Sequence, residues 1–233
     1  MMKKFILVLL AALPGLALAA GPSIPLDKAG NDLTDKESLK RGFETYVNYC
    51  LGCHQLQYQR YNRTFADLGI DEKEGIAKYM YTGEKVGDHI TNTMPAKDAA
   101  KWFGSAPPDL TLEARLRSPD WIYTYLRSFY ADPNRPFGVN NTVFKDVGMP
   151  HVLQGLQGVS TLDENGNLVE ASGGSLTAEE YDTLVRDLTN FLEYVGEPNK
   201  LERQNLGYWV IGFLFILLIF SYLLKREYWK DVH

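Results

Sequence analysis

At 233 residues and a net charge of −5, the chain is long enough to bury one core, and nothing in it suggests nucleic acid as a partner. It has no internal repeat and no low-complexity tract. It has two cysteines, both in one C-x-x-C, so a four-ligand zinc site finds no second close pair.

The N-terminus reads as a secretory signal. Lys3 and Lys4 form a basic head, residues 5–18 are apolar, and Ala17-Leu18-Ala19 is a small-x-small cleavage site. We therefore expect a signal peptide over residues 1–19 and an exported remainder. Residues 20–31 read as an irregular arm. Thr34-Asp35-Lys36-Glu37 reads as a capping box, and Leu39, Phe43, Val47 and Cys50 recur on one face of the helix that follows. That helix leads into Cys50-Leu51-Gly52-Cys53-His54. The spacing C-x-x-C-H suits covalent haem attachment: two thiols for the two vinyl groups of one porphyrin, and the next residue, His54, beneath the iron. A thioredoxin-type pair wants a helix beginning at the motif, and a plain disulfide would leave His54 unexplained.

Further along, residues 71–81 read as a short helix. Ser118-Pro119 reads as N-cap and first residue of a helix to about Tyr130, with Trp121 and Tyr125 on one face, followed by a loop over residues 131–143. Asn165-Gly166 between Thr161-Leu162 and Leu168-Val169 suggests a small hairpin. Thr177-Ala178-Glu179-Glu180 is a second capping box, and Tyr181, Leu184, Val185, Leu188, Phe191, Leu192 and Val195 then follow at helical spacing until Gly196 and Pro198. Residues 206–224 are a 19-residue uncharged run, LGYWVIGFLFILLIFSYLL. At ~1.5 Å per residue it spans roughly 28 Å, close to the hydrocarbon thickness of a bilayer. Tyr208 and Trp209 stand at one end and Tyr222, Tyr228 and Trp229 near the other, and Lys225, Arg226 and Lys230 follow, which by the positive-inside rule keeps the tail cytoplasmic. The organisation expected is a signal peptide (1–19), a periplasmic haem domain (20–205), a transmembrane helix (206–224) and a cytoplasmic tail (225–233), in a bacterial inner membrane crossed once. The fold class expected is mostly α, a cytochrome c-type haem domain with long loops and a small β-hairpin, plus the C-terminal span.

Setting aside the two lysines of the head and the single net positive charge of residues 225–233 leaves −8 for the rest. Such a balance would steer a basic redox partner, or merely keep the domain soluble. The second axial ligand is open on these grounds. Met94 and Met149 each precede a proline in a loop, 40 and 95 residues after His54. Met80 lies in a helical pattern and reads as core, and His89 and His151 are further candidates.

Taken in order, several segments resemble the cytochrome c1 family, the membrane-anchored haem subunits of cytochrome bc1 complexes. They are YVNYCLGCHQLQYQRYNR around the haem motif, Ala106-Pro107-Pro108-Asp109-Leu110-Thr111, Gly148-Met149-Pro150-His151-Val152-Leu153, and DLTNFLEYVGEP (187–198) ahead of the anchor. The resemblance covers nearly the whole mature chain. It implies one covalently bound haem c on Cys50 and Cys53, with His54 and Met149 as iron ligands. It also implies cofactor-binding roles for Pro108 and for Arg115, the latter at a haem propionate. The implied activity is electron relay from a Rieske iron–sulfur protein to a cytochrome c, beside cytochrome b and in a dimeric complex, with no substrate bonds made or broken on this subunit. The alternative is a free-standing anchored cytochrome that donates to a terminal oxidase; a haem sensor with a vacant iron face is a third reading. Two departures from some family members are Asn62 between Tyr61 and Arg63 and the lack of cysteines for an additional disulfide.

Overall fold

A computed structural model describes residues 24–230; the expected signal peptide and its cleavage site lie outside them, as do residues 231–233. Helix α1 (Lys36–Tyr49) buries Leu39, Phe43, Tyr46 and Val47. Its N-cap is Asp35, whose carboxylate accepts the Ser38 N–H at 3.0 Å. The cap expected on Thr34 thus moves one residue on, because the Thr34 N–H and hydroxyl are both taken by the Asp32 carboxylate. Helix α8 (Ala178–Gly196) opens on the Thr177/Glu180 capping box as expected and buries Tyr181, Val185, Leu188, Phe191, Leu192 and Val195.

Helices α1 and α8 cross at Gly42, and an aromatic cluster of Phe43, Tyr46, Phe65, Tyr79 and Phe191 fills the space beside the crossing. A buried polar knot closes it. Asp187 accepts the Ser38 hydroxyl at 2.6 Å and the Arg41 guanidinium at 2.6 and 3.2 Å, while Asn190 donates to Ser38 Oγ and the Asp32 carbonyl.

After the motif, β1 (Leu56–Arg60) pairs antiparallel with β2 (His89–Ile90), enclosing α2 (Tyr61–Leu68) and α3 (Glu72–Tyr79). Asp71 caps α3, so the expected 71–81 helix is trimmed at both ends. Helices α4 (Ala96–Phe103) and α5 (Glu113–Arg117) follow. Helix α6 (Pro119–Arg127) starts on the Ser118 cap and Pro119 as expected. It stops short of Tyr130, because the backbone turns at Ser128 and β3 (Phe129–Ala131) pairs with β4 (Val139–Asn141), a strand inside the expected loop.

Beyond β4 the chain is organised by two buried asparagines. Asn140 Oδ1 accepts the Asp146 N–H; Asn141 Oδ1 accepts Val143 and Phe144 N–H, and its amide donates to the Tyr125 carbonyl. A one-turn helix α7 (Gln154–Gln157) and the short pair β5 (Gly158–Val159) and β6 (Ser172–Gly173) follow. The expected hairpin is present as a Leu162–Leu168 bridge. Its loop is wider than two residues, since the Asp163 carboxylate gathers the N–H groups of Asn165 and Asn167. Last comes α9 (Lys200–Tyr228), the one helix among the described residues long and apolar enough to cross a membrane. The fold is mostly helical with small strands, as expected.

The N-terminal arm is irregular but tied down. Asp27 N–H donates to Thr124 Oγ1, Ala29 N–H and Lys28 Nζ donate to Asp120, and Asn31 donates to Glu193. The Lys28 ammonium and the Ala29 N–H hold the Asp120 carboxyl below its ordinary 3.8. A depressed carboxylate stabilises the docked arm above that value and loses the effect as pH falls through its folded pKa. Amide hydrogen exchange of residues 27–31, taken relative to the intrinsic rate at each pH, should therefore quicken below pH ~4. In Asp120→Asn it should already be fast at neutral pH.

Candidate haem site

The C-x-x-C-H motif forms a tight turn where α1 ends. Cys50 is the C-cap, its carbonyl accepting the N–H groups of Cys53 (3.0 Å) and His54 (2.8 Å). Both thiols are free, and both line one cleft of about 340 Å³ with His54. Cys50 is buried, and burial pushes its thiol up to about 12. A thiol so shifted is protonated at neutral pH.

His54 is oriented by the A-P-P-D-L-T element. Its Nδ1 lies 2.7 Å from the Pro108 carbonyl, which can only accept, so Nδ1 carries the proton and Nε2 keeps its lone pair. Burial also lowers the His54 pKa, favouring the neutral, ligating form. The element is stitched alongside by Asp109, whose carboxylate accepts Gln57 N–H (2.8 Å) and Thr111 N–H (2.9 Å), and by Leu110 N–H donating to the Gln55 carbonyl (3.0 Å).

Met149 lines the same cleft, between Gly148 and Pro150. Gly148 packs so closely on the backbone of Phe103 that a Cβ there would lie 2.7 Å from that carbonyl oxygen. Thus α4, which was not foreseen, braces the methionine loop. Leu110, Ile122, Leu126, Leu153, Leu188 and Leu192 supply much of an apolar lining. Two thiols, an imidazole with a free Nε2 and a thioether around an apolar slot are the donor set that haem c requires, so the residues fit the group.

The other candidates lie elsewhere. Met94 is not among the cleft residues, and its N–H is taken by Asn92. Met80 is the C-cap of α3 and packs on the core. His89 sits in β2, and His151 stacks on Phe129 at 4.7 Å; neither lines the cleft. Burial lowers His151 to about 4.

Arg115 is not brought to the cleft. Its stem lies against Gly196 at the end of α8. Arg117 lines the cleft instead, its guanidinium 4.5 Å from the Trp121 ring and 5.5 Å from Phe144, with Glu113 at 3.2 Å. At ~100° per residue, two positions on a helix turn the side chain by ~200°, so one of these arginines faces the cleft and the other faces away. The spacing of four from Glu113 to Arg117 and on to Trp121 was the available signal.

Residues 29–232 match the Cytochrome C1 family. Among relatives, the chain is 52% identical to a cytochrome c1 of Allochromatium vinosum over the full length of both. It is 47% identical to a protein named ammonia monooxygenase gamma subunit in Nitrosomonas europaea, covering 100% of this chain and 99% of that one. It is 25% identical to a cytochrome b/c1 of Bradyrhizobium diazoefficiens, over 85% of this chain and 34% of the longer relative. With the family match spanning nearly every described residue and a full-length relative above half identity, the chain belongs to the cytochrome c1 family, whose members are membrane-anchored, haem-binding electron-transfer subunits.

Proposed function

We propose that this chain relays single electrons within a cytochrome bc1 complex, from a Rieske iron–sulfur protein to a cytochrome c. The observation that carries the reading is the meeting of Cys50, Cys53, His54 and Met149 in one apolar cleft. Haem c bound there would supply a one-electron iron couple. Cys50 and Cys53 are the attachment points for one such group, His54 Nε2 and Met149 Sδ the iron ligands, and Pro108 the residue that fixes the imidazole. The guanidinium assigned to a propionate is that of Arg117 in place of Arg115, since a fixed, planar cation at the cleft edge suits a carboxylate. The apolar lining keeps water out and favours the less charged oxidation state. A thioether ligand acts in the same direction.

The span lies within α9 over residues 206–224, with residues 20–205 periplasmic and residues 225–233 cytoplasmic behind a cleaved leader of 19 residues. The basic group Lys225, Arg226 and Lys230 supports that orientation. A relative in which b and c1 share one chain supports cytochrome b as the neighbour, and complexes of this kind are proposed to be dimeric.

Extraction in mild detergent tests the reading. A cytochrome b and an iron–sulfur protein should copurify, the pigment should stay with the polypeptide after denaturation in acid acetone, and the reduced protein should not bind carbon monoxide. Purification without cytochrome b would favour the free-standing anchored donor. Ready uptake of carbon monoxide would overturn the relay.

A further inference from the structure

Tyr125 stands on α6 with its hydroxyl 3.4 Å from Met149 Sδ, and its O–H donates to the sulfur. The ring cannot easily leave. It stacks on Trp121 at 4.9 Å with 9° between planes, meets Phe129 edge-on at 5.2 Å, and its main-chain carbonyl is held by the buried Asn141 amide. Burial raises the phenol's pKa, so it is a neutral donor throughout the physiological range. Among the described residues this hydroxyl makes no other hydrogen bond.

A thioether sulfur has two lone pairs. One given to a metal leaves the other free to accept a hydrogen bond. A donor on that second pair draws electron density from the sulfur and points the positive end of its dipole toward the metal side. Both effects disfavour the extra positive charge of the oxidised state.

We propose that Tyr125 is a positioning residue for Met149 that orients the thioether and raises the reduction potential of the bound group. This rests on the reading of Met149 as an iron ligand. A hydrogen bond contributes modestly in net terms, and a sulfur acceptor takes the lower part of the range. Tyr125→Phe keeps the stack and loses only the hydroxyl. At a fixed ambient potential the ferrous-to-ferric ratio should fall about threefold, or ~28 mV at 59 mV per tenfold. The long-wavelength methionine–iron(III) band should be retained. Tyr123→Phe is the control: its ring sits under the Arg127 guanidinium, outside the cleft, and its potential should match the unaltered protein.

An unchanged potential in Tyr125→Phe, an equal fall in Tyr123→Phe, or loss of the band in Tyr125→Phe would each overturn the proposal. The ligand reading fails by a different result, survival of the band in Met149→Leu. In the unaltered ferrous protein, a slowly exchanging hydroxyl proton with a nuclear Overhauser contact to the Met149 methyl is expected, and its absence would overturn the proposal without any variant.

Discussion

Gly42→Val is expected to leave no folded, pigmented protein. A Cβ at Gly42 would lie 2.0 Å from the Asp187 carbonyl oxygen and 2.7 Å from both the Asp187 carbonyl carbon and Phe191 Cβ. These are backbone atoms and the root of a side chain, so no rotamer change relieves the clash. The two helices would have to separate along the crossing that positions Cys50 at one end of α1 and Leu188 and Leu192 on the cleft wall of α8. Overpacking that adds methylenes to a core costs ~1–3 kcal/mol when side chains can yield. Here the cost should exceed ~4 kcal/mol, a large fraction of the stability of an ordinary domain. Separation would also pull Asp187 from Ser38 and Arg41 and leave a nearly buried carboxylate short of partners. Even Gly42→Ala meets the same oxygen and should lower the thermal midpoint steeply, although alanine outscores glycine by ~1 kcal/mol within an isolated helix. Circular dichroism melts and haem content per polypeptide measure both variants. A Gly42→Val protein that folds and carries pigment normally would refute the close crossing.

Met149→Leu is expected to separate folding from ligation. Leucine fills nearly the same volume, so the cost to stability should stay below ~1.5 kcal/mol and the pigment should remain attached. The lone pairs are gone, however. The methionine–iron(III) band should vanish and the reduced protein should take up carbon monoxide. The potential should fall by on the order of 0.1 V, within the ~0.8 V that axial ligands command. Met94→Leu should change none of these, because Met94 lies outside the cleft. The reverse pattern would transfer the ligand role to Met94.

What could be read directly from the residues was what is local. Cys50, Cys53 and His54 act through a single turn, and the Thr177 and Ser118 caps satisfy N–H groups three residues away, so neither needs distant information. Family likeness pointed to Met149, which lines the cleft 95 residues beyond His54, a separation that no local rule spans. Both routes missed what depends on which face a short element turns. Helix α5 has five residues, too few for a full periodic pattern, so the one signal that favoured Arg117 over Arg115, its spacing of four from Glu113 and Trp121, went unread until the cleft showed its side. The β3–β4 pair escaped because Phe129–Ala131 continues the helical pattern of α6; pairing with Val139–Asn141 overrides that local preference. Asp35 took the cap from Thr34 through a competing turn at Asp32, a contest between neighbours that composition alone does not decide.

The join between α8 and α9 carries a mechanical consequence. Only three residues separate the two helices, and Lys200 with Glu193, Arg203 with Glu197, and Arg63 with Asn199 bind across the gap. At 29 residues α9 is ~44 Å long, against ~30 Å of hydrocarbon, so its polar first turns stand above the lipid as a rigid pedestal. A thicker or thinner bilayer that tips this rod tips the redox centre with it. Lipid thickness thereby becomes a lever on how the haem cleft is presented to whatever exchanges electrons with it.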